Sequence, residues 1–248
     1  MLRDNAPAEA IVLAGGLGTR LRSVVSDVPK PMAPIAGRPF LEYLFDYWIS
    51  QGISRFTLSV GYRHETITSH FGDVYRGASL RYFPETTPLG TGGALLNVLG
   101  GCNITAPVLL LNGDTYFSVD LGELSAFGAR NEADIAFALF ETDEPARYLG
   151  LDLRDDGRIL GFEVQNGLTT IANGGVYWLR PQIFAERSSL TKHPRSLEID
   201  LLPALLRAGR KLYGRVFSDT FIDIGVPEDF HRAQDVLASV QKAVSGSC

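Results

Sequence analysis

Cysteine, histidine and net positive charge are all scarce in this 248-residue chain, and each shortage removes a class of function. Two cysteines, Cys102 beside a Gly-Gly turn and Cys248 at the last position, are poor material for a disulfide framework or a zinc site. A reducing cytoplasm is the compartment such usage leads one to expect. The four histidines, His64, His70, His193 and His231, are scattered without metal-ligand spacing and are expected on helices or at the surface. Lys and Arg number 23 against 28 Asp and Glu, a formal charge of −5. That balance argues against a grip on a nucleic-acid backbone, which needs a basic face to displace counterions. An anionic ligand must instead be held locally, by a few placed cations, backbone N–H groups or a bound metal ion. No apolar stretch reaches the length of a bilayer span, and residues 1–10 lack a basic segment leading into an apolar run, so neither membrane insertion nor export is expected. Repeats, low-complexity tracts and Pro/Ser-rich linkers are missing too, and no hexapeptide series follows the closing helix, so a parallel β-helix module is not expected.

What is present fits one large α/β unit. Hydrophobic residues make up 45% and charged residues 21%, usual for a globular chain. Short apolar, β-branched runs at 11–13, 56–60, 80–83, 108–111 and 135–140 alternate with helical patterns, the rhythm of β-α-β units around a mostly parallel sheet. Leu41, Leu44, Phe45, Trp48 and Ile49 recur at helical spacing, and Gly52 ends that helix. Around Gly150 the style changes: 151–153 and 159–162 flank Asp155-Asp156-Gly157, a tight-turn signal between two strands. A strand at 175–179 follows, then a helix at about 197–208 that Pro203 should kink or restart. Residues 221–224 form the last strand, and Pro227 opens a terminal helix.

The first strand runs into Ala14-Gly15-Gly16-Leu17-Gly18-Thr19-Arg20. Glycines at the carboxyl end of a strand let backbone approach a phosphate and line an anion nest with N–H groups; on glycines alone an ordinary turn is an equal reading. A dinucleotide fingerprint needs a glycine where Leu21 stands, and a Walker loop needs Gly-Lys-Ser/Thr, which does not occur. Downstream, Arg20 offers a fork that matches phosphate oxygens, and Lys30, between Pro29 and Pro31, offers a point charge in a stiff segment. Asp114 follows an apolar strand and the turn pair Asn112-Gly113, which brings its carboxylate out where α/β ligands bind. Asp223 stands between Ile222 and Ile224, where a charge is costly unless paired or metal-bound. Either aspartate alone is most simply a turn cap; the two together with the glycine loop favour a metal role, since two carboxylates plus phosphate oxygens suit magnesium, which needs few protein ligands.

Together with Pro88-Leu89-Gly90-Thr91-Gly92-Gly93-Ala94, Leu111-Asn112-Gly113-Asp114, Asn173-Gly174-Gly175 and Phe221-Ile222-Asp223-Ile224-Gly225, these blocks resemble the sugar-1-phosphate nucleotidyltransferase family across essentially the whole chain. Within the family, residues 29–35 and 39–43 are most similar to the branch that guanylylates heptose 1-phosphate, with the mannose 1-phosphate branch next and UTP- or dTTP-using members beyond it. The resemblance implies a Rossmann-like mixed, mostly parallel sheet flanked by helices, with an inserted sugar-binding β-hairpin region. It implies a single domain, with a nucleotide-binding half at about 1–140 and a sugar-phosphate-binding half and closing helix at about 141–248. It further implies Mg2+ as cofactor, GTP and a sugar 1-phosphate as partners, and family habit adds a homodimer.

By residue, the resemblance implies catalytic roles for Arg20, Lys30, Asp114 and Asp223, with the two aspartates as metal ligands. Nucleotide contacts fall to Leu13, Ala14, Gly15, Gly16, Gly18, Thr19, Glu85, Gly90, Thr91, Asn112 and Gly113. Sugar-phosphate contacts fall to Gly150, Glu163, Asn173 and Gly174. Glu85 corresponds to a base-contacting position, where one carboxylate accepts both the ring N1–H and the exocyclic amine of guanine; a solvated loop glutamate is the plainer alternative. Many relatives carry a Phe-x-Glu-Lys segment whose lysine meets the sugar phosphate. This chain reads Phe162-Glu163-Val164-Gln165, which leaves Gln165 with a weaker contact, or Arg147 or Arg195 as the replacement cation. A catalytically silent relative that binds nucleotide-sugar and regulates a partner subunit is the competing reading of another class.

Overall fold

The computed structural model describes residues 6–16, 18, 21, 25, 28–144, 147–162, 170–185 and 194–245. In chain order the strands are β1 (Glu9–Ala14), β2 (Pro34–Ile35), β3 (Arg38–Pro39), β4 (Arg55–Val60), β5 (Val74–Tyr75), β6 (Ala78–Pro84), β7 (Val108–Asn112), β8 (Thr115–Phe117), β9 (Ile135–Glu141), β10 (Asp152–Leu153), β11 (Ile159–Gly161), β12 (Ile171–Leu179), β13 (Leu212–Val216) and β14 (Phe221–Asp223). The helices are α1 (Phe40–Ser50), α2 (His64–Phe71), α3 (Gly90–Gly101), α4 (Leu121–Arg130), α5 (Leu202–Arg207) and α6 (Pro227–Ser245).

Eight strands form one mixed sheet in the order β13-β9-β12-β7-β1-β4-β6-β5. β7, β1, β4 and β6 run parallel, as do β13 and β9, while β12 lies antiparallel between β7 and β9. The chain moves outward from β1 to β4 and β6, then returns through α3 to place β7 on the other side of β1. The order therefore reverses between β1 and β7, and in open α/β sheets the crevice at such a reversal is where ligands bind.

Alternation along the central strands divides the core. Val12, Leu58, Val60 and Leu111 face Leu41, Leu44, Phe45 and Trp48 of α1, whereas Ile11 and Leu110 face Leu95, Leu96, Val98 and Leu99 of α3. Fully burying one such side chain contributes about 1.5–3 kcal/mol, so the two helix stripes hold the sheet from both faces. A third cluster packs Phe230, Ala233 and Leu237 of α6 against Ile222, Ile224 and Tyr116, beside the ribbon of β14 and β8.

All five early strands fall where the sequence pattern puts them, and so do α1, the β10–β11 hairpin and the start of α6 at Pro227. Pro203 coincides with a break, since residues Leu197–Leu201 wind as a π-helical turn before α5 begins. Three expectations need correction. Cys102 follows directly on α3 rather than flanking a turn, because the helix runs through Gly101. The strand expected at 175–179 begins four residues earlier, at Ile171, with a bulge between Asn173 and Val176. The sheet also gains β13, unmarked in the sequence reading because Gly214 and Arg215 interrupt its apolar run, while β14 stands outside the sheet, paired with β8.

Arg38 ties the β3 turn to α1 through Glu42 (Nε–Oε2 2.7 Å) and Asp46 (Nη2–Oδ2 2.8 Å), and His70 Nε2 of α2 lies 2.8 Å from Glu42 Oε1. Burial works to raise the Glu42 carboxyl, but His70 and then Arg38 outweigh it and hold the group below the usual carboxylate range. A depressed folded-state value contributes stability above the unfolded-state pKa and loses it as pH falls through the folded value. Glu42→Gln is expected to lower the urea midpoint near neutral pH, with the gap to wild type closing as pH drops below about 4. A gap independent of pH, in parallel urea melts, would refute an electrostatic origin.

Candidate active site

Four parallel strands deliver their carboxyl ends to one crevice: β1 leads to Gly15 and Gly16, β4 to Gly61, β6 to Glu85 and β7 to Asn112-Gly113-Asp114. The turns are packed too closely for side chains. A Cβ on Gly61 would meet Gly15 O at 2.5 Å, and one on Gly113 would meet Leu13 O at 2.7 Å. The Gly113 N–H donates to that same Leu13 carbonyl (2.9 Å). The resulting cavity, of about 360 Å³, is lined by Leu13, Ala14, Gly15, Gly16, Gly18, Glu85, Gly90, Thr91, Asn112 and Gly113, with Lys30 and Asp114 in its wall. All the expected nucleotide contacts thus share one pocket except Thr19, which, like Arg20 and Glu163, lies outside the described residues.

Lys30 sits in a 3-10 turn closed by Met32 N–H to Pro29 O (2.7 Å) and Ala33 N–H to Lys30 O (3.0 Å), with Pro31 and Met32 buried beneath it. Its Nζ donates to Asp114 Oδ2 at 2.5 Å and lies 3.8 Å from Asp223 Oδ1. One ammonium therefore stands against both acids, although the sequence reading assigned it to phosphate alone. The acids are brought together by the β8–β14 ribbon, where Asp223 pairs with Thr115 and Ile224 N–H donates to Asp114 O (3.0 Å). Burial, then the charge of Asp114, push the Asp223 carboxyl up, opposed by Lys30, by the Gly225 N–H at 2.6 Å and by Arg147. A half-buried acid pair with one ammonium against it is short of positive charge, and two carboxylates beside phosphate oxygens are a donor set suited to a hard divalent cation. The donor set of Asp114 and Asp223 thus fits a divalent cation that phosphate oxygens also ligate; no group of three or more His, Cys, Asp or Glu side chains among the described residues offers an all-protein site.

Glu85 is fixed at the pocket wall. Its Oε1 accepts from Ser59 Oγ and its Oε2 from Leu89 N–H, both at 3.0 Å, and a Cβ on Gly15 would overlap Oε1. Of the expected sugar-side residues that are described, Asn173 and Gly174 lie apart from this cavity wall on the β12 bulge, with Gly150 beside it. Gly150 bridges Ala172, and Asn173 donates from Nδ2 to Tyr177 Oη (2.6 Å). Gly174 packs on the Phe117 ring, and Gly175 (φ 72°) brings the bulge against Asn112 and Thr115. Asn112 Oδ1 and Thr115 Oγ1 are buried there with no hydrogen-bond partner among the described residues.

The helix α3 start differs from a free phosphate cradle. Gly92 N–H and Gly93 N–H both donate to Arg195 O (2.9 and 3.2 Å), so the carbonyl of a distant segment caps this N-terminus. Thr91 Oγ1 accepts from Leu197 N–H (2.7 Å) and donates to Glu198 Oε2 (2.9 Å), which Ser196 Oγ also reaches. Glu198 escaped the sequence reading, as did Tyr177, whose hydroxyl burial and Glu198 push far up. The signal was there in Ser196 and Asp200: Ser196 Oγ accepts from Ile199 N–H and Asp200 from Ser196 N–H, a reciprocal cap that marks a helix start.

The chain belongs to the nucleotidyl transferase family, whose model matches residues 9–240. Enzymes of this family are nucleotidyltransferases that generally use a divalent metal. The chain is 43% identical over 231 residues to D-glycero-alpha-D-manno-heptose 1-phosphate guanylyltransferase of Aneurinibacillus thermoaerophilus, covering 92% of this chain and 98% of the relative. Identity to the Campylobacter jejuni protein of the same name is 41% over 229 residues, 90% and 97% of the two chains. Among solved structures, HddC from Yersinia pseudotuberculosis complexed with GMP-PN shares the fold with a TM-score of 0.75 at 33% identity, over 92% of this chain and 98% of that one.

Gly90 tests the cap on α3, since its φ is 72° and an added Cβ would meet Arg195 O at 2.4 Å. Gly90→Ala is expected to destabilise the fold by about 1–3 kcal/mol and to speed amide exchange at Gly92, Gly93 and Arg195. Unchanged exchange at those amides, followed by mass spectrometry, would mean that the 194–198 segment does not depend on Gly90.

Proposed function

We propose that this enzyme transfers GMP from GTP to D-glycero-α-D-manno-heptose 1-phosphate, giving GDP-heptose and pyrophosphate, with magnesium as its metal. The reading rests on one observation above others: Lys30, Asp114 and Asp223 converge beside the glycine-lined pocket of a chain similar over nine-tenths of its length to two heptose 1-phosphate guanylyltransferases. GMP-PN in the Yersinia relative supports a guanine nucleotide in the matching crevice. Residues 1–140 then serve mainly as the nucleotide half and 141–248 as the sugar half.

The sugar phosphate oxygen attacks the α-phosphorus of GTP in line, forming the new P–O bond as the bond to the β-phosphate oxygen breaks and pyrophosphate leaves. The nucleophile is already anionic, so no side chain has to remove a proton. Positioning and charge balance are the protein's contribution. The nest of Gly15, Gly16 and Gly18 receives phosphate oxygens, joined by Arg20, and Lys30 turns part of its charge from Asp114 to the incoming phosphate. Asp114 and Asp223 would hold magnesium, which when bound would supply the divalent charge that offsets the charge building on the phosphate oxygens during transfer.

On the sugar side, Asn173, Gly174, Gly150 and Glu163 are the contacts we assign. For the missing lysine, Arg147 is engaged by Asp229 and Glu144. Arg195 keeps a buried Nε with no hydrogen-bond partner among the described residues, which favours it as the cation for the sugar phosphate.

The reading is tested by incubating purified protein with a grid of GTP, UTP and dTTP against heptose and mannose 1-phosphates, with product masses read out. GDP-heptose is expected as the fastest product. Faster mannose turnover would transfer the assignment to the mannose branch, and no product in any well would favour the silent regulatory reading. Base choice is expected to follow Glu85, whose carboxylate keeps lone pairs free for the two adjacent guanine donors. In Glu85→Gln the amide carbonyl is claimed by Leu89 N–H, leaving an NH2 toward the base. The preference for GTP over UTP and dTTP, as a ratio of kcat/KM, should fall by roughly five- to a hundredfold. An unchanged ratio would assign base reading elsewhere on the pocket wall.

A further inference from the structure

A second cavity, of about 420 Å³, opens at the opposite end of the sheet, where β1, β4 and β6 begin and α3 ends. Its floor departs from the pattern of the sheet. On the side covered by α3, β4 presents Arg55, Thr57 and Ser59 in alternation, and β6 sets Ser79 and Arg81 beside Arg55 and Thr57. Thr57 and Ser59 are buried there, where a polar side chain calls for a functional reason, whereas Arg55, Ser79 and Arg81 are exposed at the mouth of the cavity. Ser59 has one, its hydrogen bond to Glu85 at the nucleotide end. The lower group does not serve that pocket.

Thr57, 2% exposed, donates to Glu9 Oε1 at 3.2 Å, and Arg55 Nε reaches Glu9 Oε2 only at 3.5 Å. Arg81 donates from Nη1 to Cys102 Sγ at 3.4 Å and forms no salt bridge among the described residues; a thiol is a weak acceptor. Two guanidiniums thus stand in a cavity with a single carboxylate, and only Arg55 reaches it, a local excess of positive charge on an acidic chain. Guanidinium forks match phosphate oxygens in geometry and charge, and the Ser79 hydroxyl adds a neutral donor. The cavity is large enough for more than an ion. We propose that it is a second ligand site, separate from the nucleotide pocket, for a phosphorylated small molecule held by Arg55 and Arg81. Helix α3, about 18 Å long at its twelve residues, lines the nucleotide pocket with Gly90, Thr91 and Ala94, and Cys102, just past its end, lines the second site.

Cys102 supplies a reporter that does not depend on activity. Alkylation of its peptide by iodoacetamide is followed by mass spectrometry, without divalent metal, in the presence of inorganic pyrophosphate, GDP or mannose 1-phosphate. The protein is wild type, Arg55→Gln, Arg81→Gln and, as a control on the nucleotide pocket, Lys30→Ala. At least one probe is expected to slow the reaction roughly tenfold at about ten times its Kd, in wild type and Lys30→Ala alike. Which probe does so separates a bare phosphate from a nucleotide or a sugar phosphate. Each arginine variant, compared with its own ligand-free rate, should bind that probe about ten- to a hundredfold more weakly while keeping its melting temperature and basal turnover. The proposal is overturned if no probe protects Cys102, if protection survives both arginine substitutions, or if it disappears in Lys30→Ala, which would trace it to the nucleotide pocket.

Discussion

Two carboxylates held near one another in a half-buried setting repel, and the active end of this molecule is organised around that repulsion. Asp114, in the turn before β8, and Asp223, at the end of β14, are separated by more than a hundred residues of chain, yet the β8–β14 ribbon binds their backbones together and leaves little room for retreat. A fold that fixes such a pair must also supply positive charge. Lys30 does so from a turn stiffened by prolines on either side, and its position against both acids makes it an internal counterion that can be shared with an arriving phosphate. The elements around the crevice supply geometry, while this charge imbalance suits the site to cations and to the anions that accompany them.

The glycines of the site divide into two kinds by what presses on them. Gly61 after β4 and Gly113 after β7 are required because neighbouring turns touch backbone to backbone at the sheet reversal. At the start of α3, Gly90 is required because the carbonyl of Arg195 lies where its side chain would be, and the same carbonyl takes the N–H groups of Gly92 and Gly93. The second group reads in sequence like a phosphate loop. In the fold it is a joint, where the nucleotide side of the pocket is fastened to the segment that carries Glu198 and Arg195.

Much of this was legible in the residues. The five apolar strands, the α1 stripe and the aspartates at strand ends are local patterns, and local patterns survive folding when each agrees with the whole. Less legible were features set by long-range packing. β13 lacks a clean apolar run because Gly214 lies under the Leu139 side chain, β14 reads as a sheet strand although only β8 accepts it, and Glu198 acquires meaning only once Thr91, a hundred residues earlier, stands beside it. The placement of Lys30 was likewise visible as stiffness in its prolines but not as a partner choice, because which acids it meets depends on the ribbon.

The late strand β12 is inserted between β7 and β9, antiparallel to both. Strands β1, β4, β6 and β7 can assemble as the chain leaves the ribosome, but β9 has no place beside them until residues up to Leu179 have emerged. Until then β7 presents a bare edge and β9 an unpaired apolar strand, the condition in which nascent chains pair wrongly with one another. The half that reads as complete in sequence thus waits, during synthesis, on a strand from the half that follows it, and the order of translation becomes a hazard that this fold must outrun.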